Sequence, residues 1–599
     1  MRHIETKNIL RALKIVWNSS PLWSLINGFL VLLKGVMPLL LIYIIQILVD
    51  EIASIMKVDE GGGVESVYYI LFVAGVVFVI NSILNAISGI IKEKHSYFIS
   101  DTVQNLIHQR TVNLEYANYD DYNFQNVYYR AINEASYRPS RIYYGFVGLA
   151  QNTITLALIA GLLMSLHWGV LAVLLLISIP VIYIRLNFSR KIFDFNRDHT
   201  EDERYVGYYN RLLTGKEFAK ELRVFNLSKL FKGRYESKKH NLRRKQFSML
   251  KTKTQYELIV QLLTASALIF VFAYISKQAI EGDITQGQMV MFFLALYRGY
   301  SFLQDLLGRI SGLYEDGLFL KNFFEFIDYR VVNKKSLKTK LFPDVLNKGI
   351  VVKGLQFSYV NSSRNVFNEL NFKINVGETV ALVGANGAGK STLVKLLCGL
   401  YRPDKGSVSF DDIYINEIKD ESLAKNISVV FQDFMLYNLS AKENIWLGDV
   451  SQSSGDSSVE KSAKESGINK VIEDLPKGYD TTLGTMFKNS EMLSVGEWQR
   501  IALSRSFFNN AQLVILDEPT SSLDAFTEAK LIENFKAISE GRTSIIVSHR
   551  MSTIHLADRV IVLGNGGVEE EGRPEELLKQ RGVFYSMVQS LRKDFSYKS

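Results

Sequence analysis

The hydrophobic and polar positions of this 599-residue chain fall into two regimes. In the first half apolar residues come in long unbroken runs, and in the second they come in short runs punctuated by glycine and charge. Residues 22–49 hold one charge, Lys34, and residues 68–91 hold none. At about 1.5 Å of rise per residue, each run is long enough for a helix to cross the ~30 Å core of a bilayer. Residues 142–184 are uncharged apart from His167 and too long for one crossing, so they predict two, with His167-Trp168-Gly169 as the turn. A fifth run near 257–276 and a sixth near 285–306 bring the expected number of spans to six.

The polar stretches orient these spans. Between the first two, Asp50, Glu51, Asp59, Glu60 and Glu65 face only Lys57, whereas basic residues flank the outer ends, which places the N-terminus inside. Residues 1–17, with Arg2, Lys7, Arg11 and Lys14, read as an amphipathic helix on the same side and lack the order of a signal peptide. Residues 92–141 and 185–254 are long and charged. Ile99, Val103, Leu106 and Ile107 recur at helical spacing, so helices are expected to continue well beyond the membrane. At their far ends, Tyr119–Tyr129 and Lys216–Asn226 are expected to dock on a soluble domain. Lys34, Asn81, Asn85, Gln151, Asn152, Arg298 and Gln304 are polar exceptions within the runs, suited to lining a cavity or to bonding between helices.

Domain boundaries are expected at 1–330, 331–348 and 349–599, the middle segment being a Lys-rich linker. From Gly349 onward short strands alternate with helical patterns, as a parallel α/β sheet requires. The run Val380–Val383 ends in the loop Gly384-Ala385-Asn386-Gly387-Ala388-Gly389, followed by Lys390, Ser391, Thr392 and an apolar-periodic stretch. Strand, glycine loop and helix N-terminus together make a cradle of backbone N–H groups for a polyphosphate. Lys390 is placed for the terminal phosphates and Ser391 for Mg²⁺. Leu513–Leu516 reads as a strand buried on both faces that delivers Asp517 and Glu518 to the sheet edge, one suited to Mg²⁺ and the other to orienting water. Ser544–Val547 delivers Ser548 and His549 to the same edge, and Ser494 is placed to cap a helix whose N-terminus is open to an anion.

Composition narrows the picture further. The hydrophobic fraction is 47% with nine prolines, and the net charge of +8 fits a cytoplasmic loop bias better than nucleic acid once spans are placed. The single cysteine, Cys398, excludes an intrachain disulfide and sits among leucines as a packed thiol. With the first span beginning near residue 22, it also argues against a cysteine peptidase.

The order and spacing of GANGAGKST, LSVGEWQR, LVILDE and the late histidine resemble the nucleotide-binding domain of ATP-binding cassette transporters. The whole chain is similar to an exporter half-transporter. The resemblance implies a six-span membrane bundle joined to an α/β nucleotide-binding domain. It implies ATP and Mg²⁺ as ligands, an ATPase coupled to translocation, and a multi-pass position in the bacterial cytoplasmic membrane. By the same resemblance Tyr359 stacks on adenine, and Gln432 senses Mg²⁺ and contacts the membrane domain. Ser494, Gly496 and Glu497 belong to the segment facing the γ-phosphate of an opposite subunit. Asp524 links two sites, His549 contacts the γ-phosphate, and Glu518 and Lys390 serve catalysis. One copy of each motif implies a second chain, by default another copy. Two departures stand out: Val495 and Glu497 replace a glycine and a glutamine of the usual signature, and Thr485 and Phe487 stand where many drug exporters carry Glu and Gly. The string LGTMFKNSEMLSVGEWQRIAL is more similar to lantibiotic-type peptide exporters than to multidrug or lipid-flipping relatives. A peptide cargo is therefore expected, with a multidrug or lipid exporter and an ATP-gated channel or sensor as alternatives.

Overall fold

The computed structural model describes residues 2–56, 64–135, 138–329, 339–521, 524–539 and 541–596. The chain divides into two compact units: Met1–Leu114 with Tyr122–Arg330, and Glu115–Asp121 with Val331–Ser599. Lys57, Asp59 and Glu60 of the acidic segment, and residues 331–338 of the expected linker, lie outside the described residues.

The first unit is helical: α1 (Arg2–Ser19), α2 (Pro21–Ile55), α3 (Val64–Val112), α4 (Tyr122–Ala135), α5 (Arg138–Leu166), α6 (Trp168–Asp198), α7 (Thr200–Thr214), α8 (Ala219–Val224), α9 (Ser228–Glu281) and α10 (Gln286–Ile327). Five of these, α2, α3, α5, α6 and α9, are long and apolar enough to cross a membrane. The sixth expected span is helical as part of α10 but falls short of the others in apolarity, because Arg298, Gln304 and Asp305 interrupt it. His167 ends the turn between α5 and α6 as an N-cap, its Nδ1 accepting the Gly169 N–H at 3.0 Å. At 49 and 54 residues α3 and α9 far exceed one bilayer crossing, so the polar stretches continue the spans as helix.

Packing in this unit relies on close approach and on buried polar pairs. Thr155 Oγ1 donates to the Gly35 carbonyl at 2.7 Å, where a Cβ on Gly35 would lie 2.9 Å from Ile154. Asp50 Oδ1 accepts the Gly287 N–H at 2.8 Å and so caps the start of α10. Lys34 donates to Ser88 at 3.3 Å. Arg138 is paired with buried Asp316 at 2.7 Å, Arg141 with the same carboxylate at 3.1 Å, and the Arg138 guanidinium lies 3.8 Å above Phe319. Arg11 of α1 grips Asp328 at 2.5 Å and lies over Phe324.

The second unit holds two sheets built from β1 (Ile350–Ser358), β2 (Asn365–Ile374), β3 (Thr379–Gly384), β4 (Lys405–Phe410), β5 (Ile413–Tyr414), β6 (Ile427–Val430), β7 (Leu513–Asp517), β8 (Thr543–Val547), β9 (Arg559–Gly564) and β10 (Gly567–Gly572). The expected parallel sheet is present in the order β10-β9-β3-β8-β7-β6, with only the edge pair β10/β9 antiparallel. Strands β3, β7 and β8 are buried at every position, which is why they read as continuous apolar runs. A separate antiparallel sheet, β2-β1-β4-β5, corrects the expectation of one parallel sheet. In β1 Ile350 and Val352, then Leu355 and Phe357, are buried at alternate positions on either side of a register shift, whereas β4 buries Val408, Ser409 and Phe410 in succession. Glu115–Asp121 folds with this unit: Tyr401 donates to Asp120 at 2.5 Å, and Arg402 pairs with Glu115 at 2.7 Å.

Candidate nucleotide site

Three buried strands end at one edge of the parallel sheet, and each releases a functional side chain there. β3 runs into the glycine loop and α11 (Lys390–Leu397). Gly387 and Gly389 have φ of 85° and 95°, a left-handed conformation that costs glycine little, and a Cβ on Gly389 would press within 2.8 Å of Phe367 and Val366. Ala388 N–H donates to the Ala385 carbonyl at 3.1 Å, closing the loop around Asn386. Lys390 is buried and turns back on the loop, donating to the Gly384 carbonyl at 2.7 Å and the Ala385 carbonyl at 3.2 Å. Burial lowers its pKa, while the charges of Glu518 and Asp517 act in the opposite sense.

β7 delivers Asp517, only 3% exposed. Burial raises its pKa, opposed by a hydrogen bond from Ser391 that ties the strand end to α11. Glu518 follows with φ of 52°, a left-handed conformation unfavourable for a residue with a Cβ, and its N–H is anchored to the Val547 carbonyl at 2.9 Å. The anchor turns its carboxylate toward two neighbours. Gln432, just past β6, donates Nε2 to Glu518 Oε2 at 2.9 Å, and His549, just past β8, places Nε2 3.9 Å from Oε1. The His549 Nε2 is buried and has no hydrogen-bond partner among the described residues. Burial, and next the charge of Lys390, lower the His549 pKa and favour the neutral ring.

Lys390, Ser391, Asp517, Glu518, Gln432 and His549 therefore converge. Tyr359 is joined to this group through its hydroxyl, 2.8 Å from Thr392 Oγ1, and its half-buried ring meets Phe357 and Tyr401 edge to face. Asp524 accepts from the Thr527 N–H at 3.0 Å and from its hydroxyl at 2.7 Å.

Ser494 caps the helix Val495–Phe508 in a reciprocal box: Glu497 Oε2 accepts the Ser494 N–H at 2.7 Å, and Ser494 Oγ accepts the Glu497 N–H at 3.3 Å. Glu497, read from the sequence as a departure, thus completes the cap. Val495 is 66% exposed and points away from the core. The sequence reading passed over Gln499, whose Nε2 donates to the Glu518 carbonyl at 3.1 Å and to Ser521 at 3.3 Å. Its position in LSVGEWQR was the available signal.

The donor set fits a magnesium polyphosphate: a loop of backbone amides, a buried ammonium, a hydroxyl–carboxylate pair and an imidazole nitrogen without a hydrogen bond among the described residues. Comparison with known proteins agrees. A family profile described as ABC transporter matches residues 367–521. The chain is 28% identical over 587 residues to the nisin transport ATP-binding protein NisT of Lactococcus lactis subsp. lactis, covering 96% of this chain and 95% of that one. It is 30% identical over 485 residues to an uncharacterized ABC transporter ATP-binding protein, YwjA, of Bacillus subtilis, covering 80% and 81%. A bacterial Atm1-family ABC exporter solved with ATP bound shares the fold, with a TM-score of 0.77, 21% identity and coverage of 95% and 98%.

Proposed function

The chain belongs to the ATP-binding cassette transporters, and from that premise we propose that it exports a peptide across the bacterial cytoplasmic membrane as a homodimer. That it is an ATP-binding transport ATPase of a membrane follows from the family. The observation that carries the mechanism is the convergence of six side chains on one sheet edge, where His549 Nε2 lies 3.9 Å from Glu518 Oε1.

In this reading Lys390 leaves the Gly384 and Ala385 carbonyls for the terminal phosphates, and the loop amides hold the chain of phosphates in line. Ser391 and Asp517, with Gln432, are the residues that would hold Mg²⁺, whose charge would offset that of the terminal phosphates. Glu518 aligns the attacking water and accepts its hydrogen bond. Neutral His549 donates from Nε2 to the γ-phosphate, and Tyr359 offers its ring to adenine. The cap Ser494–Gly496–Glu497 and Asp524 face the site of the second copy. Closure of the paired nucleotide units reaches the spans through Glu115–Asp121 and the Lys216–Asn226 segment. The peptide cargo rests on similarity to the nisin transport protein along nearly the whole chain.

The test is accumulation of a labelled lanthionine-type peptide in inverted membrane vesicles. Uphill, ATP-dependent uptake is expected. Equilibration without concentration identifies a channel, and uptake of lipid or hydrophobic dye in place of peptide identifies the other cargo class.

A further inference from the structure

Glu115–Asp121 lies in the chain between α3 and α4 of the helical unit, yet it folds with the nucleotide unit. Two clamps hold it to Tyr401 and Arg402, just beyond α11, the helix that the glycine loop opens. Asp120 Oδ2 accepts the Tyr401 hydroxyl at 2.5 Å, and Glu115 pairs with Arg402 at 2.7 Å. Between the clamps Tyr116 meets the Tyr401 ring edge to face, with centroids 5.5 Å apart and planes at 89°. The Lys395 ammonium of α11 lies 6.0 Å from the centroids of both rings.

Tyr401 also reaches the other way. Its ring meets Tyr359 edge to face, with centroids 5.4 Å apart and planes at 86°, and it meets Phe357, which packs on Tyr359 as well. The Tyr359 hydroxyl is fixed separately, 2.8 Å from Thr392 Oγ1 on α11. Tyr116, Tyr401 and Tyr359 are therefore a continuous aromatic series from the docking segment to the residue read as the adenine wall. Packing alone does not require a hydroxyl in its middle. Tyr401 is 4% exposed, and burial, then the bond to Asp120, raise its pKa and keep the hydroxyl a donor. An enclosed donor is costly without an acceptor, and here the acceptor belongs to the docking segment. Withdrawal of the segment thus unseats the ring that braces Tyr359.

We propose, on the reading of Tyr359 as the adenine wall, that Tyr401 is a positioning residue through which the nucleobase, rather than the phosphates, controls the docking of Glu115–Asp121. A base stacked on Tyr359 favours the ring arrangement in which Tyr401 meets Asp120. By linkage, a docked segment tightens base binding by the same factor.

The experiment is calorimetric titration of the full-length protein in nanodiscs, at fixed Mg²⁺, with two ligands in turn: the hydrolysis-resistant β,γ-imido analogue of ATP, and inorganic tripolyphosphate, which has phosphates and no base. Asp120→Ala and Tyr401→Phe, checked for an unaltered melting temperature, are each expected to raise the Kd of the analogue about fivefold and to leave that of tripolyphosphate unchanged. Asp120→Asn, which keeps an acceptor in place, is expected to restore most of the affinity. Amide hydrogen exchange in residues 115–121 is expected to slow with the analogue and not with tripolyphosphate. Equal weakening of both ligands, the result of a purely structural role, overturns the proposal. So does wild-type affinity for the analogue in Asp120→Ala and Tyr401→Phe while Tyr359→Ala weakens it selectively, by about tenfold. Unchanged affinity for the analogue in Tyr359→Ala overturns the adenine reading, and the inference with it.

Discussion

The two units both enclose apolar cores but differ in what they leave at the surface. In the nucleotide unit Phe367, Phe410 and Ile515 are fully enclosed, and its functional charges gather at the sheet edge. In the helical unit Phe72, Tyr183 and Phe270 are at least 70% exposed, while Arg138, Asn152, Thr264 and Asp316 are enclosed. One physical rule produces both. Apolar surface leaves water in the first unit by entering a core and in the second by facing lipid, where polar groups find partners only inside.

This contrast yields measurable differences, beginning with the largest. Glu518→Gln is expected to lower the rate of ATP hydrolysis by about 10³-fold while leaving ATP binding intact, because it removes the carboxylate that orients water and keeps the shape. Single-turnover hydrolysis and nucleotide retention check this, and wild-type turnover breaks the assignment of chemistry to the sheet edge. In the helical unit Asp316→Ala removes the enclosed carboxylate that Arg138 and Arg141 share and is expected to cost about 3 kcal/mol, read as loss of folded protein on heating in detergent. The same loss from Asp305→Ala, an exposed position, would break the link between enclosure and cost.

Asp517→Asn sets stability against function. Burial raises the Asp517 pKa, so its ionised form is penalised in the folded state. The penalty is absent below the usual carboxylate pKa, grows as pH rises through the raised folded value, and is complete above it. The variant is expected to gain about 1 kcal/mol of nucleotide-free stability at pH 8, with the gain vanishing toward acid pH, and to lose Mg²⁺-dependent hydrolysis. Melting curves across pH decide it. Glu497→Gln keeps the capping geometry but removes a negative charge beside the helix end proposed to face a phosphate, so the apparent KM for ATP is expected to fall about twofold to fivefold with kcat little changed. Phe270→Ala, facing outward, is expected to change stability by less than about 0.5 kcal/mol, whereas Phe410→Ala in the enclosed core is expected to cost about 3–5 kcal/mol.

Much of the nucleotide unit was legible because its functional residues sit at the ends of short apolar strands, where local pattern and chemistry coincide. Lys390, Asp517 and His549 could be placed from β3, β7 and β8 alone. The antiparallel sheet was missed because β1, β2, β4 and β5 are half-buried strands without a motif, and their pairing joins residues up to about sixty positions apart. Gln499 was missed because its partner, the Glu518 carbonyl, carries no mark in a sequence. In the helical unit the spans were legible from length and apolarity, but α10 was less apolar than its place in the count suggested. The partners of Lys34, Asp50 and Arg138 could not be read at all, since helical periodicity gives a face and not the helix opposite.

By itself the sequence determined which segments form long apolar helices, where Lys390, Asp517 and His549 leave the sheet, and that Ser494 caps a helix. These follow from local rules: run length, strand burial and the hydrogen-bonding needs of a helix start. Tertiary structure alone decided that Gln432 holds the Glu518 carboxylate, that His549 Nε2 is buried with no hydrogen-bond partner among the described residues, and that Glu497 completes a cap. Each depends on which distant segment lies alongside, and that is set by packing of the whole unit.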